Sequence, residues 1–271
     1  KIDGHKGTFG KVLIVGGAVG YTGAPYLTAA AAVRTGCGLV SLGVPEAIWP
    51  VEAAKCVSAM PFPLPDKHGR LSPKAKEEIL QRAADCDAVA LGPGLGRGEG
   101  VTELVLELLR QLQQPVVLDA DGINALAGHM DVLDARRDAV TVLTPHDGEF
   151  ARIGRDLSAG DRLGAARAFA EAHGCVLVLK GHRTITAVPS GNALVNTTGN
   201  SGLAKGGSGD VLTGIIVSLL AQGASPVQAA AGGVWLHGRA GDLAAARLTA
   251  YGMTPEDVAA SLPKAIGEAT A

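Results

Sequence analysis

Short runs of β-branched and other apolar residues recur along this chain, and helix-like segments separate most of them. The runs are KVLIVGG at 11–17, GLVSLGV at 38–44, DAVALGPG at 87–94, PVVLDAD at 115–121, AVTVLTPH at 139–146 and CVLVLKG at 175–181. The segments 23–35, 99–113 and 159–173 carry apolar residues at the spacings of three and four that are typical of helices. Strands that alternate with helices favour a mainly parallel sheet covered by helices on both faces. The pattern therefore predicts an α/β fold.

The pattern changes after Lys180. Two shorter strands, TITAVP and NALVNT, are followed by alanine-rich helices from about 209 to 247. The chain has 271 residues and contains no Pro/Ser linker, low-complexity tract or repeat of fixed period, so we expect one domain over residues 1–271.

Charge and cysteine usage narrow the classes of function. The formal net charge is −2 and no basic run occurs, which argues against a nucleic-acid or membrane-surface partner and favours a small-molecule substrate. The four cysteines have neither C-x-x-C spacing nor a histidine nearby, so neither a disulfide framework nor a zinc site is indicated. No apolar run reaches the roughly 18 residues of a membrane-spanning helix, and no leader is recognisable, so we expect a cytoplasmic protein.

Most of the predicted strands end in glycine or in a polar residue. These ends are Gly16 and Gly17, Gly92–Gly96, Asp119 with Asp121, His146, and Lys180 with Gly181. In open parallel sheets the ligand crevice lies outside the carboxyl ends of the strands. We therefore expect these residues to surround one site.

Two glycine-rich stretches resemble nucleotide-binding motifs without matching them. LGPGLGRG gives G-x-G-x-G, whereas the dinucleotide motif is G-x-G-x-x-G, so the match fails at the third glycine. GNSGLAKGG has Ala204 where a phosphate loop has its second glycine, and Gly206 where it has Ser or Thr. Neither Rossmann nor Walker chemistry is indicated.

A glycine-rich turn at 199–210 leads into the apolar helix GDVLTGIIVSLLAQG, which begins with Gly209 and Asp210. The first N–H groups of a helix lack internal partners and can receive phosphate oxygens. Asp210 could simply stabilise the helix dipole, by about 0.3–1 kcal/mol. Its alternative use is to take a proton from an attacking hydroxyl during phosphoryl transfer.

Other polar residues also have a functional and a structural interpretation. Lys180 either contacts a nucleotide or is a solvated lysine at a strand end, and His146 is either functional or structural. Asp119, Asp121 and Asn124 provide oxygen ligands suited to magnesium or to a phosphate network, whereas Asp121 is equally suited to helix capping.

Taken together, these residues resemble those of the ADP/ATP-dependent NAD(P)H-hydrate dehydratases, a carbohydrate-kinase-like family related to ribokinases. The resemblance runs in order along nearly the whole chain, through HKGTFGKVLIVGG, TGAPYLTAAAAVRTGCGLV, LGPGLG, LDADGINAL, LTPHDGE, LVLKGHRT and GNSGLAKGGSGDVLTGIIVSLLAQG. It implies a ribokinase-like three-layer α/β/α fold with a central, mostly parallel sheet. It also implies repair of hydrated NADH or NADPH, in which a phosphoryl group from ADP or ATP turns the ring hydroxyl into a leaving group.

The resemblance also implies roles for individual residues. Asp210 would be the base, while Gly207 and Gly209 at the start of its helix would stabilise the phosphoryl group. The hydrated dinucleotide would contact Ala24, Gly96, His146 and Asp210. The adenine nucleotide would contact Lys180, Gly181, His182, Arg183, Thr184 and Gly209. Magnesium is expected on the phosphates, with no dedicated protein ligands.

The chain departs from the family pattern at KGHRT, whose third and fourth residues are bulkier than those of the KGAGT found in many relatives. The resemblance further implies a homo-oligomer, with a tetramer expected, and an NAD(P)H-hydrate epimerase that is fused upstream or separate. ADP is the expected donor, although ATP stays open.

Two other functions remain open at this stage. A ribokinase-like kinase acting on an alcohol of a vitamin precursor or sugar would use the same base. A nucleotide sensor without turnover is disfavoured because it would not need a carboxylate at a phosphate site.

Overall fold

The computed structural model describes residues 3–154, 157 and 160–270. Its strands, within these residues, are β1 (Lys11–Val15), β2 (Leu39–Pro45), β3 (Met60–Leu64), β4 (Asp66–Lys67), β5 (Arg70–Leu71), β6 (Ala88–Leu91), β7 (Val116–Leu118), β8 (Thr141–Leu143), β9 (Val176–Leu179), β10 (Ile185–Ala187) and β11 (Ala193–Val195).

Nine of these strands form one sheet in the order β11-β10-β9-β8-β7-β6-β1-β2-β3. The seven neighbouring strands β9, β8, β7, β6, β1, β2 and β3 pair in parallel. Strands β10 and β11 are antiparallel to their neighbours. Strands β4 and β5 form a separate two-stranded hairpin.

Helices cover the sheet. They are α1 (Gly23–Arg34), α2 (Trp49–Lys55), α3 (Lys76–Ala83), α4 (Glu99–Gln111), α5 (Asp121–Asn124), α6 (Met130–Asp134), α7 (Asp147–Arg152), α8 (Arg162–His173), α9 (Ser208–Ala221), α10 (Pro226–Gly252) and α11 (Pro255–Thr270).

Alternating side chains of each strand enter two separate cores, one on each side of the sheet. Leu13 and Val15 of β1 pack with residues of α3, α4 and α8. Val12 and Ile14 face the opposite side, where α1, α9 and α10 lie. A third core joins α11 to α1, α9 and α10. Because both faces of the sheet are buried, its strands are mainly apolar, and the predicted three layers are confirmed.

The six strand runs recognised in the sequence all contain strands of the central sheet, and the two shorter strands are β10 and β11. Strand β3 and the β4–β5 hairpin were not predicted. The sequence of β3, MPFPL, carries two prolines, which disfavour a strand except at the edge of a sheet, and β3 is an edge strand.

The helical predictions are confirmed with changed bounds. The region 209–247 is two helices, α9 and α10, and the segment 159–173 contains α8, which begins at Arg162. Residue 159 of that segment and residues 1, 2 and 271 of the predicted single domain lie outside the described residues. All four cysteines are free. No helix in the described part of the chain is long and apolar enough to cross a membrane.

Candidate active site

The loops that follow β1 and β6 meet at the carboxyl edge of the sheet. The N–H of Gly17 donates to the carbonyl of Pro93 at 2.8 Å. A Cβ atom at Gly16 would lie 2.5 Å from that carbonyl oxygen, so this close approach requires glycine. A Cβ atom at Gly94 would lie 3.0 Å from the Cβ of Ala24, which places Ala24, in the first turn of α1, against the same loop.

Gly96, farther along this loop, is held by the carboxylate of Asp121. The N–H of Gly96 donates to Oδ2 of Asp121 at 2.9 Å, and the amide of Asn124 donates to Oδ1 of the same carboxylate at 3.1 Å. Asp121 is the first residue of α5 and makes no side-chain cap. Oδ2 of Asp121 therefore holds the loop in place, while Oδ1 accepts from Asn124 of the same helix. The capping role considered from the sequence is not seen, and the magnesium role stays a prediction.

Lys180 lies among buried carboxylates at the ends of β7, β8 and β9. Its Nζ is 2.8 Å from Oδ1 of Asp119 and 3.7 Å from Oε2 of Glu149. The hydroxyl of Thr213 on α9 donates to the other oxygen of Asp119 at 2.8 Å. Burial alone would lower the pKa of Lys180, but the charges of Asp119 and Glu149 outweigh it and raise the pKa. Lys180 is therefore a fixed positive charge.

Asp210 lies in the first turn of α9, beside this cluster. Its pKa is raised to about 7, first by burial and then by the negative charge of Asp119. Lys180 opposes this shift, and Glu149 adds to it. A carboxylate with a pKa near neutrality can accept a proton from a hydroxyl and release it again, which is the property of a general base.

The glycines before and after the start of α9 have different functions. Gly207 caps the helix with φ 98°, and a Cβ atom there would lie 2.7 Å from Leu27 and 3.0 Å from Pro255. Gly207 is thus required by backbone conformation and by packing against α1 and α11. A Cβ atom at Gly209 would lie 3.2 Å from Nζ of Lys180, so Gly209 keeps space open beside that ammonium group.

His146 caps α7 and lies beside Lys180 through an isolated parallel bridge. Its Nδ1 accepts from the N–H groups of Gly148, at 3.0 Å, and Glu149, at 3.3 Å. Because Nδ1 is an acceptor, the proton of the neutral ring is on Nε2. Glu149 in turn accepts from the N–H of His146 at 2.9 Å, which completes a capping box. His146 thus has the structural role considered from the sequence, while its half-exposed Nε2 lies 3.5 Å from Oε1 of Glu149.

The turn from Gly181 to Thr184 joins β9 to β10. The Thr184 hydroxyl donates to the carbonyl of Gly181 at 3.1 Å and closes the turn. His182 and Arg183 are exposed on it, and Arg183 has φ 59°, a left-handed conformation. Within the described residues, no hydrogen bond or ion pair joins the side chain of either residue to the rest of the site.

Arg162, at the start of α8, supports the strand end that carries Lys180. Its Nη2 donates to the carbonyl of Lys180 at 2.9 Å and to Oδ1 of Asp147 at 2.8 Å. The guanidinium group therefore connects the first turn of α7 to the end of β9.

His237 on α10 lies behind the first turn of α9. Burial lowers its pKa to about 4; the backbone carbonyl of Ser208 opposes that shift and the charge of Lys180 adds to it. Its Nε2 is buried and has no hydrogen-bond partner among the residues that the structure describes. The ring is therefore neutral at the back of the site.

The structure thus brings His146, Lys180, Gly209 and Asp210 together. Ala24, in the first turn of α1, and Gly96, in the loop after β6, lie at the same edge of the sheet. Four contributing residues were missed by sequence reasoning, namely Glu149, Arg162, Thr213 and His237. Two of these had a local signal, because Glu149 and Thr213 each lie three residues after a predicted site residue in a helix and share its face.

No group of three or more His, Cys, Asp or Glu residues able to hold a metal ion occurs within the described ranges. The oxygens of Asp119 are occupied by Lys180 and Thr213. These residues do not provide a magnesium cage of their own.

The model of the NAD(P)H-hydrate dehydratase family matches residues 12–264. The bifunctional NAD(P)H-hydrate repair enzyme Nnr of Moorella thermoacetica is 46% identical over 265 residues, which are 96% of this chain and 50% of that protein. The ADP-dependent (S)-NAD(P)H-hydrate dehydratase of Neisseria meningitidis is 39% identical over 246 residues, which are 89% of this chain and 79% of that protein. This chain spans about half the length of the first of these relatives.

Among solved structures, the fold is similar to that of the ADP/ATP-dependent NAD(P)H-hydrate dehydratase of Bacillus subtilis, co-crystallised with ATP and Mg²⁺. The TM-score is 0.83 at 32% identity, over 99% of this chain and 92% of that one. A likeness of this extent confirms the predicted ribokinase-like architecture.

Proposed function

Since this chain belongs to the NAD(P)H-hydrate dehydratase family, we propose that it converts the S form of hydrated NADH or NADPH back to NADH or NADPH. The energy source would be ADP or ATP, and ADP is the donor that we favour. The single observation that carries the proposal is Asp210, whose pKa is raised to about 7, in the first turn of a helix that follows a glycine-rich turn.

In the first step, Asp210 removes the proton from the hydroxyl on the reduced nicotinamide ring as the hydroxyl oxygen attacks the terminal phosphorus of the nucleotide. A new O–P bond forms, and the bond from phosphorus to the leaving oxygen of the nucleotide breaks. The N–H groups at the start of α9, around Gly207 and Gly209, stabilise the charge on the transferring phosphoryl group.

In the second step, the electrons of the ring nitrogen expel phosphate as the C–O bond breaks. The neighbouring ring carbon loses a proton, and the dihydronicotinamide is restored. A kinase-like site thereby acts as a lyase, because the phosphorylated product decomposes by elimination.

We assign the adenine nucleotide to Lys180, the turn formed by Gly181, His182, Arg183 and Thr184, and Gly209. The open space beside Gly209 and the positive charge of Lys180 support this assignment. Magnesium would neutralise charge on the phosphates of the nucleotide; because Asp119 is already occupied by protein partners, we derive no step through the ion.

We assign the hydrated dinucleotide to Ala24, Gly96, His146 and Asp210. The exposure of His146 supports this assignment: its Nε2–H, although 3.5 Å from Oε1 of Glu149, is open to a polar group of the substrate.

We further propose that residues 1–271 act as one dehydratase domain, and that the longer protein implied by the bifunctional relatives also carries an NAD(P)H-hydrate epimerase. A homotetramer is the assembly that we expect. Size-exclusion chromatography with light scattering tests the tetramer.

The experiment that tests the function supplies purified protein with hydrated NADH and magnesium, together with ADP, ATP or no nucleotide. Nucleotide-dependent recovery of the near-ultraviolet absorbance of the dihydronicotinamide, with release of one phosphate per NADH, supports the dehydratase. A stable phosphate ester without recovery of absorbance would instead identify a small-molecule kinase. Folded protein that consumes neither nucleotide would overturn the proposal.

A further inference from the structure

A cavity of about 240 Å³ opens beside Gly96, at the carboxyl edge of the sheet. Its walls come from the loop after β6, from α4, from α5 and from the end of α7, and they include Arg97, Asp121, Asn124 and Arg152. Its lining includes neither Asp119, Lys180 nor Asp210. None of its charged residues has a role in the steps described above.

Guanidinium groups dominate the charge around this cavity. Arg97 and Arg152 line it. A third arginine, Arg70 of the β4–β5 hairpin, approaches Gly96 closely, because a Cβ atom at Gly96 would lie 2.9 Å from its Nε. Among the described residues, the only acidic one in the lining is Asp121. Within this part of the chain, three positive charges thus face one negative charge around Gly96.

Among the described residues, these arginines make few hydrogen bonds. Each guanidinium has five N–H donors. Nη1 of Arg152 donates to Oδ1 of Asn124 at 2.9 Å, and Nε of Arg97 is 3.6 Å from Oδ1 of Asp121. No side-chain hydrogen bond or ion pair of Arg70 occurs among residues 3–154, 157 and 160–270. Asp121, for its part, is already committed to Gly96 and Asn124.

The size of the cavity limits what it can hold. Pockets that enclose a whole small ligand are typically about 300–1,000 Å³, and a dinucleotide is larger than most such ligands. A cavity of about 240 Å³ is suited to one part of a dinucleotide. Guanidinium groups bind phosphate oxygens strongly, because their planar donors match the geometry of the anion.

We propose that the pocket formed by Arg97 and Arg152 beside Gly96, with Arg70 at its entrance, binds a phosphate group of the hydrated dinucleotide. The inference rests on the proposed function, in which the hydrated ring is at Asp210 and the rest of the molecule passes Gly96. Two groups of the dinucleotide could supply this phosphate: the pyrophosphate, which NADH and NADPH share, and the 2′-phosphate, which only NADPH carries. A comparison of NADPH with NADH therefore tells which of the two groups binds the arginines. The pocket would set the affinity for the dinucleotide and take no part in the chemical step.

The kinetic test uses Arg97→Gln and Arg152→Gln, with Arg110→Gln as the matched control. Arg110 is an exposed arginine near the opposite end of α4 and pairs with Glu107. We expect each pocket variant to raise KM for the hydrate about ten-fold, the effect of losing one charge-assisted contact, while kcat and KM for ADP change by less than about two-fold. The control should match the unmodified protein in every constant. A rise confined to KM for ADP would overturn the inference by assigning the arginines to the donor.

A binding test separates failure of this inference from failure of the proposed function. Titration calorimetry of the same four proteins with NADPH and with NADH requires no turnover. Loss of affinity for NADPH alone assigns the pocket to the 2′-phosphate, and equal loss for both assigns it to the pyrophosphate. If the unmodified protein binds NADPH through these arginines and yet fails to dehydrate the hydrates, the pocket stands and the proposed function falls. Equal affinities in all four proteins would overturn the pocket whatever the activity.

Discussion

Nζ of Lys180 lies 2.8 Å from Oδ1 of Asp119, although 61 residues separate them in the chain. The contact joins the ends of β7 and β9, and Thr213 connects the same carboxylate to α9. Because Asp210 lies in the first turn of that helix, the ion pair both fixes the position of the base and acts on its charge.

Replacement of Asp210 by Asn should lower turnover by on the order of 10²–10⁴, as expected for loss of a general base, while nucleotide affinity stays nearly unchanged. Asp131→Asn, an exposed change on α6, is the control and should leave turnover intact. Steady-state rates with hydrated NADH and ADP, together with calorimetric binding of ADP, provide the measurement. Turnover near that of the unmodified protein would remove Asp210 from the role of base.

The pH dependence of kcat/KM should show an acidic limb at about pH 7, where Asp210 loses its proton. Asp119 raises this pKa and Lys180 lowers it. Asp119→Asn should therefore move the limb to lower pH, and Lys180→Met should move it to higher pH. Rate profiles of both variants test the prediction, which requires shifts of opposite sign; a common direction would contradict it.

The same carboxyl group should make the folded protein less stable as the pH rises. The pKa of Asp210 is about 7 in the folded state and near 3.8 in the unfolded chain, so its contribution is fully present below about pH 4 and is lost as the pH rises through about 7. Asp210→Asn, which cannot ionise, should then be more stable than the unmodified protein at pH 8 by about 1–3 kcal/mol, with little difference at pH 4. Urea unfolding at the two pH values measures this. A variant that is less stable at pH 8 would show that Asp210 makes a favourable contact as the anion.

His146 has two roles that a pair of substitutions can separate. His146→Ala removes both the Nε2–H donor and the cap of α7, and loss of the cap lowers the free energy of unfolding by about 1 kcal/mol. His146→Asn removes the imidazole donor, but asparagine can still cap α7. Both variants should raise KM for the hydrate more than KM for ADP, and only His146→Ala should unfold at a lower urea concentration. If His146→Asn has the KM for the hydrate and the stability of the unmodified protein, then capping α7 is the whole function of this residue.

The strand ends of this site could be predicted from the sequence because the apolar runs and the polar residues that follow them are local features. Asp119 and Lys180 come directly after a strand, His146 caps a helix, and Asp210 lies in the first turn of one. The order of the strands in the sheet cannot be predicted from such local features. The adjacency of β7, β8 and β9 brings Glu149 to Lys180 and determines the charge around Asp210.

Contacts between helices that are distant in the chain could also not be predicted from the sequence. His237 lies in an alanine- and glycine-rich helix with no polar pattern that distinguishes it, and only the packing of α10 against α9 places it behind the site. Similarly, Arg70 belongs to a two-residue strand whose approach to Gly96 depends on how its hairpin folds over the sheet edge.

Gly209 should tolerate a small side chain and exclude a branched one. A Cβ atom there meets the flexible end of Lys180 at 3.2 Å, and the lysine can shift by a few tenths of an ångström. Gly209→Ala should accordingly fold and bind ADP with modest loss, whereas Gly209→Val should weaken ADP binding by at least about ten-fold because its methyl groups enter the space assigned to the phosphates. Gly232→Val on α10, where nothing lies within 4 Å of an added Cβ, controls for a β-branched residue in a helix. Calorimetric titration with ADP measures the affinity of each variant. If folded Gly209→Val protein binds ADP as tightly as the unmodified protein, the phosphates of ADP do not lie beside Gly209.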